Sequence, residues 1–151
     1  MDKLNEELRS EAIRNGLCER WQNDWESDKN PQELIDMWKR GIDFALLHNY
    51  PSTDFIKSNF DRSLLNENLI FVDEHINLEN APSGIYVING ECSGTLWFGS
   101  WAAATVYVRH GSKITVVADD FAKVFVRLYD DADVEVVELE DAVVKVYDRR
   151  K

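Results

Sequence analysis

Residues that can perform acid–base, nucleophilic or metal chemistry are scattered along this sequence. The three histidines, His48, His75 and His110, fall in three different predicted elements. Cys18 and Cys92 are far apart, and neither belongs to a CxxC pair. Zinc sites and nucleophilic sites need such groups clustered at characteristic spacings, so the sequence predicts no metal site and no catalytic site of these kinds. It also contains no phosphate-binding loop, GxSxG motif or dinucleotide fingerprint, and we expect no cofactor.

One set of carboxylates has a spacing that could be catalytic. In a coil with about 20 residues per turn these acids share one edge: Asp119, Asp120, Glu138, Glu140 and Asp141. Glycosidases use two carboxylates roughly 5–9.5 Å apart, and some sugar-cleaving enzymes are β-solenoids. Acids at the corners of a coil usually face water, however. We therefore expect a protein without enzymatic activity, with a glycan-binding or glycan-cleaving protein and a weak cation site as alternatives.

A second set combines tyrosine with arginine at one constant spacing. Two outward rows alternate these residue types, and Phe125 lies beside them: Tyr107, Arg127 and Tyr147 in the first row, and Arg109, Tyr129 and Arg149 in the second. A guanidinium over a tyrosine ring contributes about 0.5–1 kcal/mol at an exposed site, so a stabilising ladder is one interpretation. Tyrosine and arginine also dominate interface hot spots. The second interpretation is a face that binds a protein partner or a second copy of the chain.

The repeat that aligns these residues runs from Ala102 to Tyr147. A constant shift of about 20 residues, the length of one turn, superimposes apolar residues in columns: Ala102 with Ala122 and Ala142, Val106 with Val126 and Val146, and Val116 with Val136. Within each repeat, apolar and polar residues alternate, which is the period of a β-strand. Short strands inside such a longer period are typical of a solenoid, in which each turn covers the apolar face of its neighbour. The sequence predicts an α+β protein with a right-handed parallel β-solenoid of about three turns.

The first part of the chain predicts helices. Apolar residues at helical spacing, including two tryptophans one helical turn apart, predict helix across residues 4–28. The capping signals of Asn30-Pro31-Gln32-Glu33 predict a helix over residues 31–49. Serine and threonine predict the start of a short helix over residues 52–60, and an aspartate predicts a further turn over residues 61–65.

The pattern changes to strand at residue 69. We expect residues 1–68 to form a helical region that caps a solenoid formed by residues 69–151. Residues 85–88 are expected to form the strand of a first, irregular turn, because terminal turns of solenoids are atypical. At the other end, the charged residues 148–151 are expected to block end-to-end stacking of the coil, with stacking restricted to a complementary partner as the alternative.

Charge and composition exclude several classes of protein. The chain has 28 acidic and 17 basic residues and a net charge of −11, which argues against direct binding to a nucleic-acid backbone. An acidic mimic of DNA that inhibits a nucleic-acid enzyme stays an alternative. No signal sequence or apolar run long enough to span a membrane is present, so we expect neither secretion nor a membrane partner. Two cysteines far apart favour a cytoplasmic protein with reduced thiols.

Several specific segments extend over almost the whole chain and carry a resemblance to a known family. They are Asn15-Gly16-Leu17-Cys18, Arg40-Gly41-Ile42-Asp43-Phe44, Tyr50-Pro51-Ser52, Phe55-Ile56-Lys57, and the strand sequences of residues 104–110 and 122–127. In these segments the chain resembles an uncharacterised protein family common in gut Bacteroidales and in their phages and mobile elements. The resemblance implies a cytosolic or phage origin and implies no activity and no catalytic residues.

Overall fold

The computed structural model describes residues 1–150, and it divides the chain into two compact units, Met1–Leu64 and a second unit from Leu65 onward. Helices come first and strands follow, as predicted. The helices are α1 (Lys3–Arg14), α2 (Glu19–Asp24), α3 (Pro31–Arg40), α4 (Ile42–Leu47), α5 (Thr53–Asn59) and α6 (Arg62–Glu67). None of the helices within residues 1–150 combines the length and the apolar composition that a membrane span requires.

The helix starts follow the predicted capping signals. The Asn30 side chain accepts the backbone N–H of Glu33, and the Glu33 side chain accepts the backbone N–H of Asn30. Ser52 caps α5 in the same manner, through the backbone N–H of Phe55. Asp61 accepts the backbone N–H of Leu64 at the start of α6.

The predicted helices were too long in two places. The helix expected over residues 31–49 is divided at Gly41, whose backbone N–H closes the end of α3 on the Met37 carbonyl. The helix expected over residues 4–28 ends at Arg14, and Gly16 follows with a φ of 94°. Only glycine adopts this conformation without strain, so glycine ends the first helix although the apolar spacing continues beyond it.

The second unit is a β-solenoid built from two parallel sheets. Its strands are β1 (Ile70–Val72), β2 (His75–Leu78), β3 (Gly84–Asn89), β4 (Ser93–Phe98), β5 (Ala103–Val108), β6 (Lys113–Ala118), β7 (Lys123–Leu128), β8 (Asp133–Glu138) and β9 (Val143–Asp148). One sheet has the order β1-β3-β5-β7-β9 and the other β2-β4-β6-β8, with every pairing parallel. Val106, Val126 and Val146 are stacked neighbours, as the repeat predicts.

The solenoid has about four turns instead of the predicted three, because β1 and β2 form an additional turn before β3. Ile70 pairs with Val87, whereas Val106 pairs with Val126, so the first turn contains fewer residues than the later ones. A search at the constant offset of the later turns therefore misses it. Gly94 belongs to this irregular junction, since a Cβ there would clash with the backbone carbonyl of Ile76.

Candidate protein-binding face

The first predicted row is formed, and it places one guanidinium between two rings. Tyr107, Arg127 and Tyr147 occupy the same position on β5, β7 and β9. The Arg127 Cζ atom lies 5.9 Å from the centroid of the Tyr107 ring and 5.3 Å from that of Tyr147. Both distances are within the range of a cation–π contact. The two rings therefore restrict the orientation of Arg127 before any partner arrives.

The outward positions of β5, β7 and β9 form a three-by-three surface that we call the aromatic face. Its nine residues are Ala103, Thr105 and Tyr107 on β5, Lys123, Phe125 and Arg127 on β7, and Val143, Lys145 and Tyr147 on β9. None of the nine is acidic and three are cationic, although the chain as a whole carries a charge of −11. Phe125 lies at the centre, 39% exposed, with its ring centroid 6.3 Å from that of Tyr147. The face therefore has an exposed aromatic centre among basic groups.

The second predicted row is not an exposed row, because Arg109 is buried. Its side chain is only 1% exposed, and its Nε donates to the Asn89 Oδ1 atom at 2.6 Å. Burial lowers the pKa of Arg109 to about 10, and the charge of Asp130 acts in the opposite direction. Arg109 is therefore not available at the surface as a member of the predicted binding face. The strand ends at Val108, and the next residue reaches a buried amide acceptor in the preceding turn.

The other two members of that row remain at the surface. Tyr129 is half-buried and Arg149 is exposed, each directly after the end of its strand. Arg109, Tyr129 and Arg149 therefore share a sequence register without sharing a surface, and the nine-residue face ends at Tyr107, Arg127 and Tyr147.

Sequence reasoning missed an exposed aromatic pair at the corner that precedes the face. Trp101 is 69% exposed, and its ring stacks on that of Phe121, with centroids 4.5 Å apart and planes inclined by 10°. Both residues have positive φ values, 65° and 64°. Asp141, one turn later, has a φ of 63°, so the corner itself sets this backbone conformation. The constant shift of the repeat also superimposes Trp101 on Phe121, and this is the signal that would have identified the pair.

The acidic edge has a structural role in part. The Asp119 carboxylate accepts the backbone N–H of Asp120 at 2.7 Å, and the Glu138 carboxylate accepts that of Val144 at 3.0 Å. Asp120, Glu140 and Asp141 are exposed at their corners. Within residues 1–150, no three His, Cys, Asp or Glu side chains are grouped so that they could hold a metal ion.

The helical unit contains an apolar cavity of about 300 Å³ that the sequence did not predict. Its aromatic lining includes Trp21, Trp25, Trp38, Phe44, Tyr50 and Phe60. Two of these aromatic side chains form hydrogen bonds. Trp25 Nε1 donates to Asn5 Oδ1 at 2.9 Å, and the Tyr50 hydroxyl donates to the Leu8 carbonyl at 2.8 Å. Burial raises the pKa of the Tyr50 hydroxyl, which keeps it a donor.

No protein-family model matches the sequence, and no curated protein or solved structure matches it either. The resemblance to a family of Bacteroidales and phages stays a prediction from the sequence. Function is therefore inferred from the residues of this chain alone.

Proposed function

We propose that the chain is a non-enzymatic protein-interaction module that binds a protein partner through the aromatic face. The acid-free arrangement of nine outward residues on a strongly acidic chain is the observation that supports this function. The partner that fits it presents an apolar or aromatic side chain flanked by carboxylates.

Phe125 and the surrounding cations define the chemistry of that partner. Lys123 and Arg127 are the next outward residues to either side of Phe125 along β7, and Lys145 lies next to it on β9. An apolar anchor over Phe125 would exclude water from the neighbouring charges, which strengthens their attraction to carboxylates. Complementary charge at the edge of such a contact mainly raises the association rate and suppresses wrong partners.

Exposed aromatic groups extend the surface beyond the nine positions. Trp101 and Phe121 stack at the corner before β5 and β7, and Val143 and Tyr147 are exposed on β9. Large exposed apolar patches often mark binding sites, and these exposed side chains support the proposal. The proposal places the protein in the cytosol, where Cys18 and Cys92, both free thiols, would stay reduced.

Selection from a displayed peptide library tests this function with a defined probe. The 151-residue chain is the target, and the Phe125→Ser variant serves for counter-selection. We expect the selected peptides to share one large apolar residue with Asp or Glu on both sides. Affinities measured by fluorescence polarisation should fall at least about tenfold for Phe125→Ser and for Arg127→Gln.

A matched control lies on the other sheet. Lys113 occupies the first position of β6 as Lys123 does on β7, and both side chains are exposed. Lys123→Glu should weaken binding of the selected peptides, and Lys113→Glu should leave it unchanged. Selected peptides without acidic residues, or equal effects of the two lysine variants, would overturn the proposal.

A further inference from the structure

The last turn of the solenoid exposes the residues that earlier turns bury. Val116 and Val126 are fully buried, whereas Val136 and Val146, one turn later at the same positions, are 36% and 42% exposed. Among residues 1–150, no strand pairs with the outer edge of β8 or of β9. An unpaired strand edge beside exposed valines is a template for pairing with another strand.

The two edge strands carry opposite charge on their outward positions. On β8 these positions are Asp133, Glu135 and Val137, and on β9 the central position is Lys145. Pairing β8 with a second β8 would set acid against acid, and like charges directly opposite one another destabilise a sheet. Pairing β8 with a second copy's β9 sets Glu135 against lysine instead. The charges therefore favour one mode of self-pairing over the other.

A two-fold axis parallel to the strands produces this pairing twice. The chain passes from β8 to β9 through a corner at residues 139–142, so the two strands run in opposite directions in different sheets. Rotation about the axis exchanges the sheets and places each β8 antiparallel to the β9 of the other copy. Both contacts of the symmetric dimer are then identical.

One register of β8 against the second copy's β9 pairs apolar residues inside the coil and opposite charges on its surface. Residues of β8 and β9 at equal distances from the corner lie at similar positions along the strand direction. The numbers of two paired residues therefore add up to about 280. Val134 then faces Val146 of the second copy, and Val136 faces Val144. The same register places Glu135 opposite Lys145, and Val137 opposite Val143. Apolar side chains meet inside the coil, and an acid meets a base outside it.

Arg150 covers only one corner of this end. Its guanidinium bonds to Asp148 at 2.7 Å and to the Ala132 carbonyl at 3.1 Å, which places it over the start of β8. Val136 and Val146 keep their exposure with Arg150 in that position. The charged residues that were expected to block stacking therefore protect the corner and leave the valines accessible.

We propose that two copies of the chain associate through their last turns, with β8 of each copy antiparallel to β9 of the other. The contact continues both sheets across the two-fold axis. It buries the valines of the last turn and pairs Glu135 with Lys145 twice. It joins β8, which has no residue in the aromatic face, to β9, whose Val143, Lys145 and Tyr147 belong to that face, so the two proposals share these residues.

Sedimentation equilibrium of the full chain tests the proposal. We expect a concentration-dependent species of twice the 17.5 kDa chain mass. Glu135→Lys and Val136→Asp should each weaken the dimer at least about tenfold. The double variant Glu135→Lys with Lys145→Glu restores opposite charge in this register, and it should recover most of the association that Glu135→Lys loses.

Three results would overturn this inference. They are a chain that stays monomeric at all accessible concentrations, a dimer unaffected by Val136→Asp, and a charge-exchanged double variant no stronger than Glu135→Lys. Phe125→Ser should leave the dimer intact while it abolishes peptide binding. Failure of the peptide selection and failure of dimerisation are thereby separate results.

Discussion

Arg109 and Asn89 form a buried hydrogen bond of 2.6 Å between consecutive turns of the solenoid. The Asn89 amide also donates to the Phe71 carbonyl at 3.0 Å and to the Val87 carbonyl at 3.3 Å. One buried amide therefore connects three successive turns, and it supplies an acceptor to a buried guanidinium. The bond gives the Asn89 oxygen a donor and the Arg109 Nε atom an acceptor, and buried polar groups need such partners.

Replacing Asn89 with Leu should destabilise the protein by about 3 kcal/mol, because it leaves the Arg109 guanidinium buried without this acceptor. Urea denaturation measures the change in the free energy of unfolding. Arg149→Met is the matched control, because Arg149 has the same sequence register as Arg109, two turns later, and is exposed. It should change stability by less than about 0.5 kcal/mol. Equal effects of the two variants would show that the buried bond between Asn89 and Arg109 contributes little.

Ser112 should be more important than Ser83, which also accepts a backbone N–H from a neighbouring turn. Its buried hydroxyl accepts the Cys92 backbone N–H at 3.0 Å and donates to the Gly90 carbonyl at 2.8 Å. Ser112→Ala leaves both backbone groups without these bonds and should lower the free energy of unfolding by about 1–3 kcal/mol. The exposed Ser83 accepts the Ala103 N–H across one turn at 3.0 Å, and water can replace it there. Thermal denaturation should therefore show a clearly smaller shift for Ser83→Ala, and a larger one would contradict the argument.

His110 should make the solenoid less stable in mild acid. Its Nδ1 accepts the Gly90 backbone N–H at 2.8 Å, which requires an unprotonated nitrogen. Burial and the Arg109 charge lower the pKa of His110, and Asp130 and Asp73 oppose this shift. Because the folded pKa is below the unfolded value of 6.5, the unfolded chain binds more protons as the pH falls below that value. Stability present above pH 6.5 is thus lost as the pH falls through the folded pKa.

The variant His110→Asn isolates this effect. Asparagine tolerates the φ of 61° at this position and offers a non-titrating oxygen to the Gly90 N–H. Unfolding free energies measured from pH 7.5 to 5.5 should fall less steeply for the variant than for the wild-type protein. Identical slopes would show that His110 does not contribute to the acid sensitivity.

The valine column should be most important in the middle of the coil. Val126→Ala removes two methyl groups from a fully buried position and should destabilise by about 2–3 kcal/mol. Val146→Ala makes the same change in the last turn and should destabilise by less than about 1 kcal/mol when the chain is monomeric. Chemical denaturation at low protein concentration measures both. A similar loss at both positions would indicate that Val146 is covered in solution.

The repeat could be predicted from the sequence because it depends only on neighbouring residues within a strand and on a constant turn length. Strand alternation and a constant offset between turns place Val106, Val126 and Val146 in one column without knowledge of the rest of the fold. The additional turn at β1 and β2 was missed because its pairing departs from that offset. Arg109 was expected to be exposed, but its burial and its bond to Asn89 in the preceding turn depend on contacts that no pattern within the strand describes.

The candidate site was predicted in part for the same reason. Tyr107, Arg127 and Tyr147 lie within strands, where the constant offset places side chains directly beside each other. Trp101 and Phe121 lie at corners with positive φ, where alternation gives no direction for a side chain. The cavity of the helical unit depends on how several helices pack, and helical spacing alone does not describe that.

Parallel pairing at a constant offset makes the aromatic face a lattice fixed by the backbone. Neighbouring strands are about 4.8 Å apart, and alternate residues along a strand are about 6.6 Å apart. The anchors on β5, β7 and β9 therefore keep these intervals whatever side chains occupy them. A partner that matches the intervals with its own regular backbone can engage several anchors at once, whereas an irregular loop would meet only one or two.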